Sequence, residues 1–258
     1  MVDLEVTKLR TQIAKSDATS ITVRGRDFVH DLIGKRSFSE MIYFLLTSRE
    51  PTPPQLRILD ACLVTIMEHG WTPSSVVTRV VQHSLPSQVQ VAIAAGLLTV
   101  GDVYAGTMEG CGRILEQGLE HADPKAHFRD LVSQYRATRK PVPGFGHPIH
   151  KPDDPRSPAL FALAREQGLD GKFVKLIHLL AEEVDRAYGR HLTVNATGAM
   201  ATLLLEAGLP SGIMRTVSVI ARAAGLAGHV AEEQQNPVGG RIWSSVDELI
   251  PYEDPAKP

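Results

Sequence analysis

The stretch that most constrains this chain is Lys140–Arg156, KPVPGFGHPIHKPDDPR. Its 17 residues hold five prolines, two glycines, two histidines, two lysines and an arginine, with long helical patterns on either side. A helix cannot continue through it, because proline lacks a backbone N–H and clashes with the preceding turn. Gly144 and Gly146 let the main chain approach a ligand closely. His147 can exchange a proton near neutral pH. Arg156, nine residues on, can clamp a carboxylate in bidentate fashion. From the residues alone two descriptions fit: an ordered binding loop, or a solvated hinge between two helical parts.

Around this interruption the sequence reads as helices. Residues 1–20 form a polar lead-in with a weak helical pattern, and Ile21–Arg26 a short extended segment. Ser37, three residues before Glu40, predicts a capping box for a helix with Met41, Ile42, Phe44, Leu45 and Leu46 on its apolar side, ended by Pro51, Pro53 and Pro54. Pro54–Glu68 is the next amphipathic pattern, broken by His69-Gly70-Trp71-Thr72-Pro73. Helix continues over 74–79 and 88–99, where QVAIAAGLLTVG is small and apolar nearly all round and predicts a buried helix. Residues 114–139 read as solvated helix with a break at Asp123-Pro124. Helices follow over 158–167 and 171–189, with His178 a packing or surface residue, and over 199–207 and 212–227, dense enough in Ala, Leu, Ile and Val to be core. With glycines and prolines punctuating helices rather than hairpins, and no internal repeat, the predicted class is all-α.

Composition narrows the function. A net charge of −2 over 258 residues argues against a general nucleic-acid footprint. Cys62 and Cys111 lie far apart and fit two reduced thiols. No Cys/His spacing suggests a metal site. The N-terminal residues hold no apolar signal core, and no apolar run reaches the roughly 18 residues needed to span a bilayer. The expectation is a cytoplasmic protein with no membrane partner and no metal or redox cofactor.

Val142-Pro143-Gly144-Phe145-Gly146-His147, followed by Asp154-Pro155-Arg156, resembles the signature loop of the citrate synthase family, with the His-to-Arg spacing matched without a gap. The resemblance runs from about Arg24 to Trp243 and includes Arg36–Thr52, Glu68-His69-Gly70 and Ala221–Gly225. It looks most similar to the compact citryl-CoA lyases and the matching C-terminal part of ATP-citrate lyases. It implies a multi-helical fold with a large body (1–106 and 191–258) and a smaller lobe (107–190) carrying the His147 loop. It also implies coenzyme A as part of the substrate, a di- or tricarboxylate as the other half, and at least a dimer. By the same resemblance His147 exchanges the hydroxyl proton, His69, Arg156, Arg222 and Arg241 hold the acid, and Arg241 reaches across a dimer interface. The Val142–Gly146 backbone (Val142, Pro143, Gly144, Phe145, Gly146) meets the adenine, with Lys151 near the phosphates.

Two positions depart from the family. Tyr104 stands where the synthases carry a histidine, and Thr197 where they carry the catalytic aspartate. Tyr104 can still donate to an enolate oxygen. Thr197 has no carboxylate, and losing such a group costs about 10²–10⁴-fold in rate; Glu232 is one candidate carboxylate to stand in its place. Three readings follow: a lyase cleaving citryl-CoA or a related 3-hydroxy-3-carboxyacyl-CoA, an enzyme of another acyl-CoA reaction such as thioester hydrolysis or condensation with another donor, and a non-catalytic CoA or tricarboxylate binder.

Overall fold

A computed structural model describes residues 10–101, 103 and 106–255. The chain opens with an antiparallel three-stranded sheet, β1 (Ala14–Ser16), β2 (Ile21–Val23) and β3 (Arg26–Asp27), in the order β1-β2-β3. The extended segment at Ile21 is therefore present. The helical lead-in is not: its described part pairs Ala14 with Val23. A π-helical turn, Phe28–Leu32, leads into eleven α-helices among the described residues.

Local chemistry sets the helix ends. The Ser37–Glu40 capping box opens α1 (Phe38–Thr47) as predicted. The helix stops before the prolines, at Ser48, whose φ of 59° is left-handed. The prolines instead start α2 (Pro53–Met67), where the missing N–H costs nothing and Thr52 and Gln55 make a second capping box. Then come α3 (Pro73–Ser84), α4 (Val89–Leu97), α5 (Thr107–Glu120) and α6 (Pro124–Ala137). Asp123 caps α6 by accepting from the Ala126 N–H at 3.0 Å. The remaining helices are α7 (Arg156–Glu166), α8 (Lys172–Tyr188), α9 (Ala196–Glu206), α10 (Met214–Gln235) and α11 (Gly239–Leu249). Residues 114–139 are less solvated than predicted: Ile114 and Leu115 of α5 are buried, as are Phe128 and Val132 of α6.

The core is organised around α9. Its residues Gly198–Leu205 are buried on every side, and α2, α5, α7 and α8 pack around it. A second group, α3, α4, α10 and α11, joins the first through α10, which packs on α2. Glycine makes that junction possible: a Cβ on Gly225 would lie 2.0 Å from the Met67 carbonyl oxygen at the end of α2. Buried Glu233 turns the chain back after α10, accepting from the N–H groups of Val238 and Gly239 at 2.9 and 2.7 Å.

The buried helix predicted at 88–99 is a correction. On α4 only Ala92 and Gly96 are buried, and the following Leu98 is 87% exposed. Its apolar periphery is left uncovered by the other helices among the described residues. No helix among the described residues is long and apolar enough to cross a membrane. Cys62 and Cys111 are buried free thiols, and burial pushes both up to about 12.

A methyl group at position 225 would force α10 off α2. Gly225→Ala is expected to cost about 1–3 kcal/mol of stability, the usual penalty of overpacking, seen as a lower urea midpoint at unchanged slope. An unchanged midpoint would show that the α2–α10 contact yields freely.

Candidate functional site

The proline-rich stretch is an ordered wall, docked on the N-terminus of α9. Phe145 bridges Val194 in antiparallel fashion. The Gly146 N–H donates to the Thr193 carbonyl at 2.8 Å, the Asn195 N–H to the Gly144 carbonyl at 3.0 Å, and Asn195 Nδ2 to the Gly146 carbonyl at 2.8 Å. Gly144 (φ 87°) is required by close approach, but to protein: a Cβ there would lie 2.6 Å from Cys111 Sγ and 3.0 Å from Gly198 Cα. Gly146 (φ 74°) faces open space. Val142 and Phe145 are buried in the core, so their side chains are not available to a ligand.

Asp154 fastens the other end of the loop. Its carboxylate is fully buried and accepts four hydrogen bonds: from the Arg156 N–H, Nε and Nη2 at 3.1, 2.9 and 2.8 Å, and from the Ala196 N–H that opens α9 at 2.9 Å. Burial alone would push this carboxyl up. The Arg156 guanidinium and the two N–H groups outweigh it and hold it down at about 2. Arg156 is thereby held as a planar fork, with Nη2 3.4 Å from His147 Nε2.

His147 is fixed by its own turn. Its Nδ1 accepts from the N–H groups of Ile149 and His150 at 3.1 and 3.0 Å. A neutral imidazole that accepts at Nδ1 carries its proton on Nε2. Burial and then the neighbouring His150 push His147 below its ordinary value, Arg156 and His69 act in the same direction, and Asp154 opposes them. His147 is thus a neutral Nε2–H donor near pH 7.

Two more histidines complete the cluster. The His150 ring stacks on His147 with centroids 4.3 Å apart, and the His69 ring lies 5.8 Å from each. One nitrogen from each ring falls within 4.8 Å of the others. That triangle has its centre at up to about 2.8 Å from each corner, the length of a hydrogen bond. A transition metal would need a lone pair from every ring. His147 has none to give, with Nδ1 engaged by the backbone and a guanidinium beside Nε2. The cluster is suited to an oxygen atom.

His69 follows α2 directly, where Glu68 Oε1 accepts from the His69 and Gly70 N–H groups at 2.8 and 2.6 Å. Across the close α2–α10 contact, Arg222 sits near Glu68, 5% exposed, with Nη1 lacking a hydrogen-bond partner among the described residues. Burial lowers its guanidinium below the ordinary value, and Glu68 opposes this. The histidines stand apart from a cleft of ≈ 620 Å³ between α5 and α10 lined by Glu109, Arg113 and Arg215. They meet a ≈ 390 Å³ groove between α2 and α7 only through Arg156.

The family model for the citrate synthase C-terminal domain matches residues 46–243. The chain belongs to the citrate synthase family. Its structure is similar to that of citryl-CoA lyase from Hydrogenobacter thermophilus, with a TM-score of 0.83 and 31% identity over 97% of this chain and 96% of that one. It shares the fold of an ATP citrate lyase from Methanothrix soehngenii, solved with citrate and coenzyme A, with a TM-score of 0.78 and 19% identity over 97% of this chain and 42% of that one. Citrate synthase from Synechocystis is 26% identical over 205 residues, 77% of this chain and 50% of that protein. The chain spans about half the length of the curated citrate synthases it matches.

The Thr197 hydroxyl donates to Asn195 Oδ1 at 2.7 Å and lies 2.8 Å from the Thr107 hydroxyl. Tyr104 lies outside the described residues. The suggested substitute, Glu232, is paired with Arg79 on the α3–α10 face, so its carboxylate is not available at Thr197. Lys151 is exposed on the loop, and Arg241 is exposed on α11, which packs on α3. His178 is exposed, its ring 5.3 Å from that of Phe161. The sequence reading gave no separate role to His150, Asp154 or Asn195. The signals were present: a second histidine three residues after His147, and the acid of Asp-Pro-Arg.

Asp154→Asn tests the clamp. A carboxyl lowered from 3.8 to about 2 in the folded state stabilises the fold by about 2 kcal/mol above its unfolded value, and that contribution is lost as pH falls through the folded value. The variant is expected to be less stable by at least about that amount at pH 7, with the gap narrowing below about pH 4. Urea titrations at pH 7, 4 and 3 read it. A pH-independent gap would mean that the charge is not what holds the loop.

Proposed function

We propose that this chain is a carbon–carbon lyase acting on citryl-CoA or a related 3-hydroxy-3-carboxyacyl-CoA, releasing oxaloacetate and acetyl-CoA. The observation that carries this reading is Arg222. A guanidinium this buried with an unpartnered Nη1 is costly, and the cost is offset when a substrate carboxylate binds. Together with Arg156 it offers two positive groups to an acid with several carboxylates, beside a neutral histidine donor. The likeness to a citryl-CoA lyase along nearly its full length supports the same reading.

The cleavage is a retro-aldol step. The tertiary hydroxyl loses its proton, and the O–H electron pair becomes the new carbonyl bond. The C–C bond breaks toward the thioester, whose enolate is then protonated at carbon. Arg156 and Arg222 hold carboxylates, His69 contacts the acid, and the His147 Nε2–H meets the oxygen on which charge develops. Coenzyme A would lie along the main chain of Val142–Gly146, with Lys151 toward its phosphates and Tyr104 toward the thioester. Movement of 107–190 as a lobe would shield the enolate from water.

The uncovered apolar residues of α4 and α11, among them Val89, Val91, Leu98, Trp243 and Leu249, fit pairing with a second copy. Arg241 would then be presented to the partner's site.

A second reading has one observation behind it. The Thr197 hydroxyl is committed to Asn195, so the acetyl end lacks a carboxylate, and the site is compatible with other acyl-CoA chemistry such as thioester hydrolysis. A panel of hydroxyacyl-CoA thioesters scored for free CoA would separate it from the lyase.

The decisive assay couples citryl-CoA cleavage to malate dehydrogenase and follows NADH. Loss of NADH is expected with the wild-type chain and not with His147→Ala. Arg222→Ala is expected to raise KM about 10–100-fold, the value of one charged hydrogen bond. Full activity in His147→Ala would remove it from the site, and no oxaloacetate from the wild type would end the lyase reading. Sedimentation should give a species heavier than the 28.1 kDa chain; a monomer would refute the pairing of α4 and α11.

A further inference from the structure

Arg222, Gly225 and His229, spaced three and four apart, share one face of α10. That face meets the end of α2, where Glu68 lies over the middle residue: a Cβ on Gly225 would stand 3.2 Å from Glu68 Oε2. The carboxylate therefore has a donor one helical turn to either side, Arg222 and His229.

Arg79 of α3 sets what His229 offers. Its Nε donates to His229 Nδ1 at 3.0 Å. A guanidinium only donates, so Nδ1 holds the lone pair and the neutral ring carries its proton on Nε2. Arg79 is itself held on several sides. It is 3% exposed, paired with Glu232 and Glu233, and its guanidinium lies 5.1 Å from the Trp71 ring.

Glu68 is turned toward His229. Its Oε2 lies 3.1 Å from His229 Nε2, off the ideal hydrogen-bond angle. Its Oε1 accepts from the His69 and Gly70 N–H groups at 2.8 and 2.6 Å. Arg222 Nη1 is left without a partner among the described residues. Charge alone would give the opposite arrangement. A free carboxylate beside a guanidinium forms a short, often bidentate pair, stronger than its contact with a neutral ring.

We propose that His229 is a positioning residue for the acid site: with the His69–Gly70 backbone it holds the Glu68 carboxylate away from Arg222, which leaves that guanidinium open to a substrate carboxylate. The assignment rests on the reading of Arg222 as a group that binds the acid. Glu68 stays close enough to offset the burial of the empty guanidinium without occupying it. Released from His229, it would turn along α10 to Arg222 and compete with the substrate.

The test measures citrate binding by calorimetry, with and without coenzyme A, and KM and kcat in the oxaloacetate-release assay. His229→Phe keeps a ring beside Trp71 but offers Glu68 no donor, whereas His229→Gln keeps one. His229→Phe is expected to weaken citrate binding and raise KM about 10–100-fold, the effect of losing one charged hydrogen bond. Its kcat should stay within a few-fold, and His229→Gln should bind nearly as the wild type does. Adding Glu68→Gln to His229→Phe removes the competing charge and is expected to restore most of the affinity. A purely structural role for His229 predicts no such recovery. Glu68→Gln alone is expected to bind citrate at least as tightly as the wild type, and this arm does not depend on the folding of a His229 variant. Wild-type-like binding in a folded His229→Phe, no recovery in the double variant, or weakened binding in Glu68→Gln would each overturn the assignment. A wild type that binds citrate but releases no oxaloacetate would end the lyase reading, with the binding arms still deciding the role of His229. A wild type that binds no citrate under either condition would overturn the Arg222 site and this assignment together.

Discussion

The buried carboxylate of Asp154 is the interaction on which the site depends. From its loop it meets two separate pieces of chain: the first turn of α7 through Arg156, and the first N–H of α9 through Ala196. An anion is well placed at a helix N-terminus, where the peptide dipoles leave partial positive charge. Here it also neutralises a guanidinium that faces the histidines. A buried charge with one partner removed is strongly destabilising, so neither Asp154 nor Arg156 can be altered without disturbing both loop and core. The core helix and the site are one construction, because α9 supplies the N-terminus that the loop is fastened to.

Small residues supply the rest of the precision. Gly198 in α9 meets Gly144 backbone to backbone, and Gly225 lets α10 close on the end of α2. Each contact brings a chemical group with it. The first sets the Gly144–His147 wall against Asn195 and Thr197. The second brings Arg222, one turn before Gly225, to Glu68 and therefore to His69. Residues from about 50 to more than 150 positions apart in sequence are placed by contacts too short to admit a methyl group, which fixes their separation more firmly than a flexible side chain could.

The loop was legible in the sequence because it combines residue types that no helix tolerates, and because its motif spacing is specific. The Ser37 capping box and the core character of α9 were legible for similar reasons: each is a local or periodic signal. What was not legible depends on partners distant in sequence. The apolar surface of α4 reads the same whether it is buried in its own chain or left uncovered, since periodicity records apolarity and not what covers it. The prolines after Thr47 announce a break but not whether they end one helix or start the next. Gly144 reads as a place for a ligand to approach, and the approaching group turns out to be Gly198. The tautomer of His147 needs two N–H groups in a turn whose shape the sequence does not state.

The departure at position 197 is tied by structure to the start of α5. Thr107, the first residue of α5, follows closely on the segment that carries Tyr104, and its hydroxyl meets that of Thr197. Thr197 in turn donates to Asn195 Oδ1, which also caps α9 through the Gly198 N–H. An ionised carboxylate at position 197 only accepts hydrogen bonds. It would face the oxygen of Asn195, an acceptor against an acceptor, at the point where the His147 loop is hydrogen-bonded to α9. A threonine fits there because it can donate to Asn195 and accept from Thr107 at once. The Thr107–Thr197–Asn195 side is thus a neutral hydroxyl chain, whereas the charges lie with Asp154, Arg156 and Arg222. On the proposed lyase reading, proton transfer must therefore be sought on the side of the histidines.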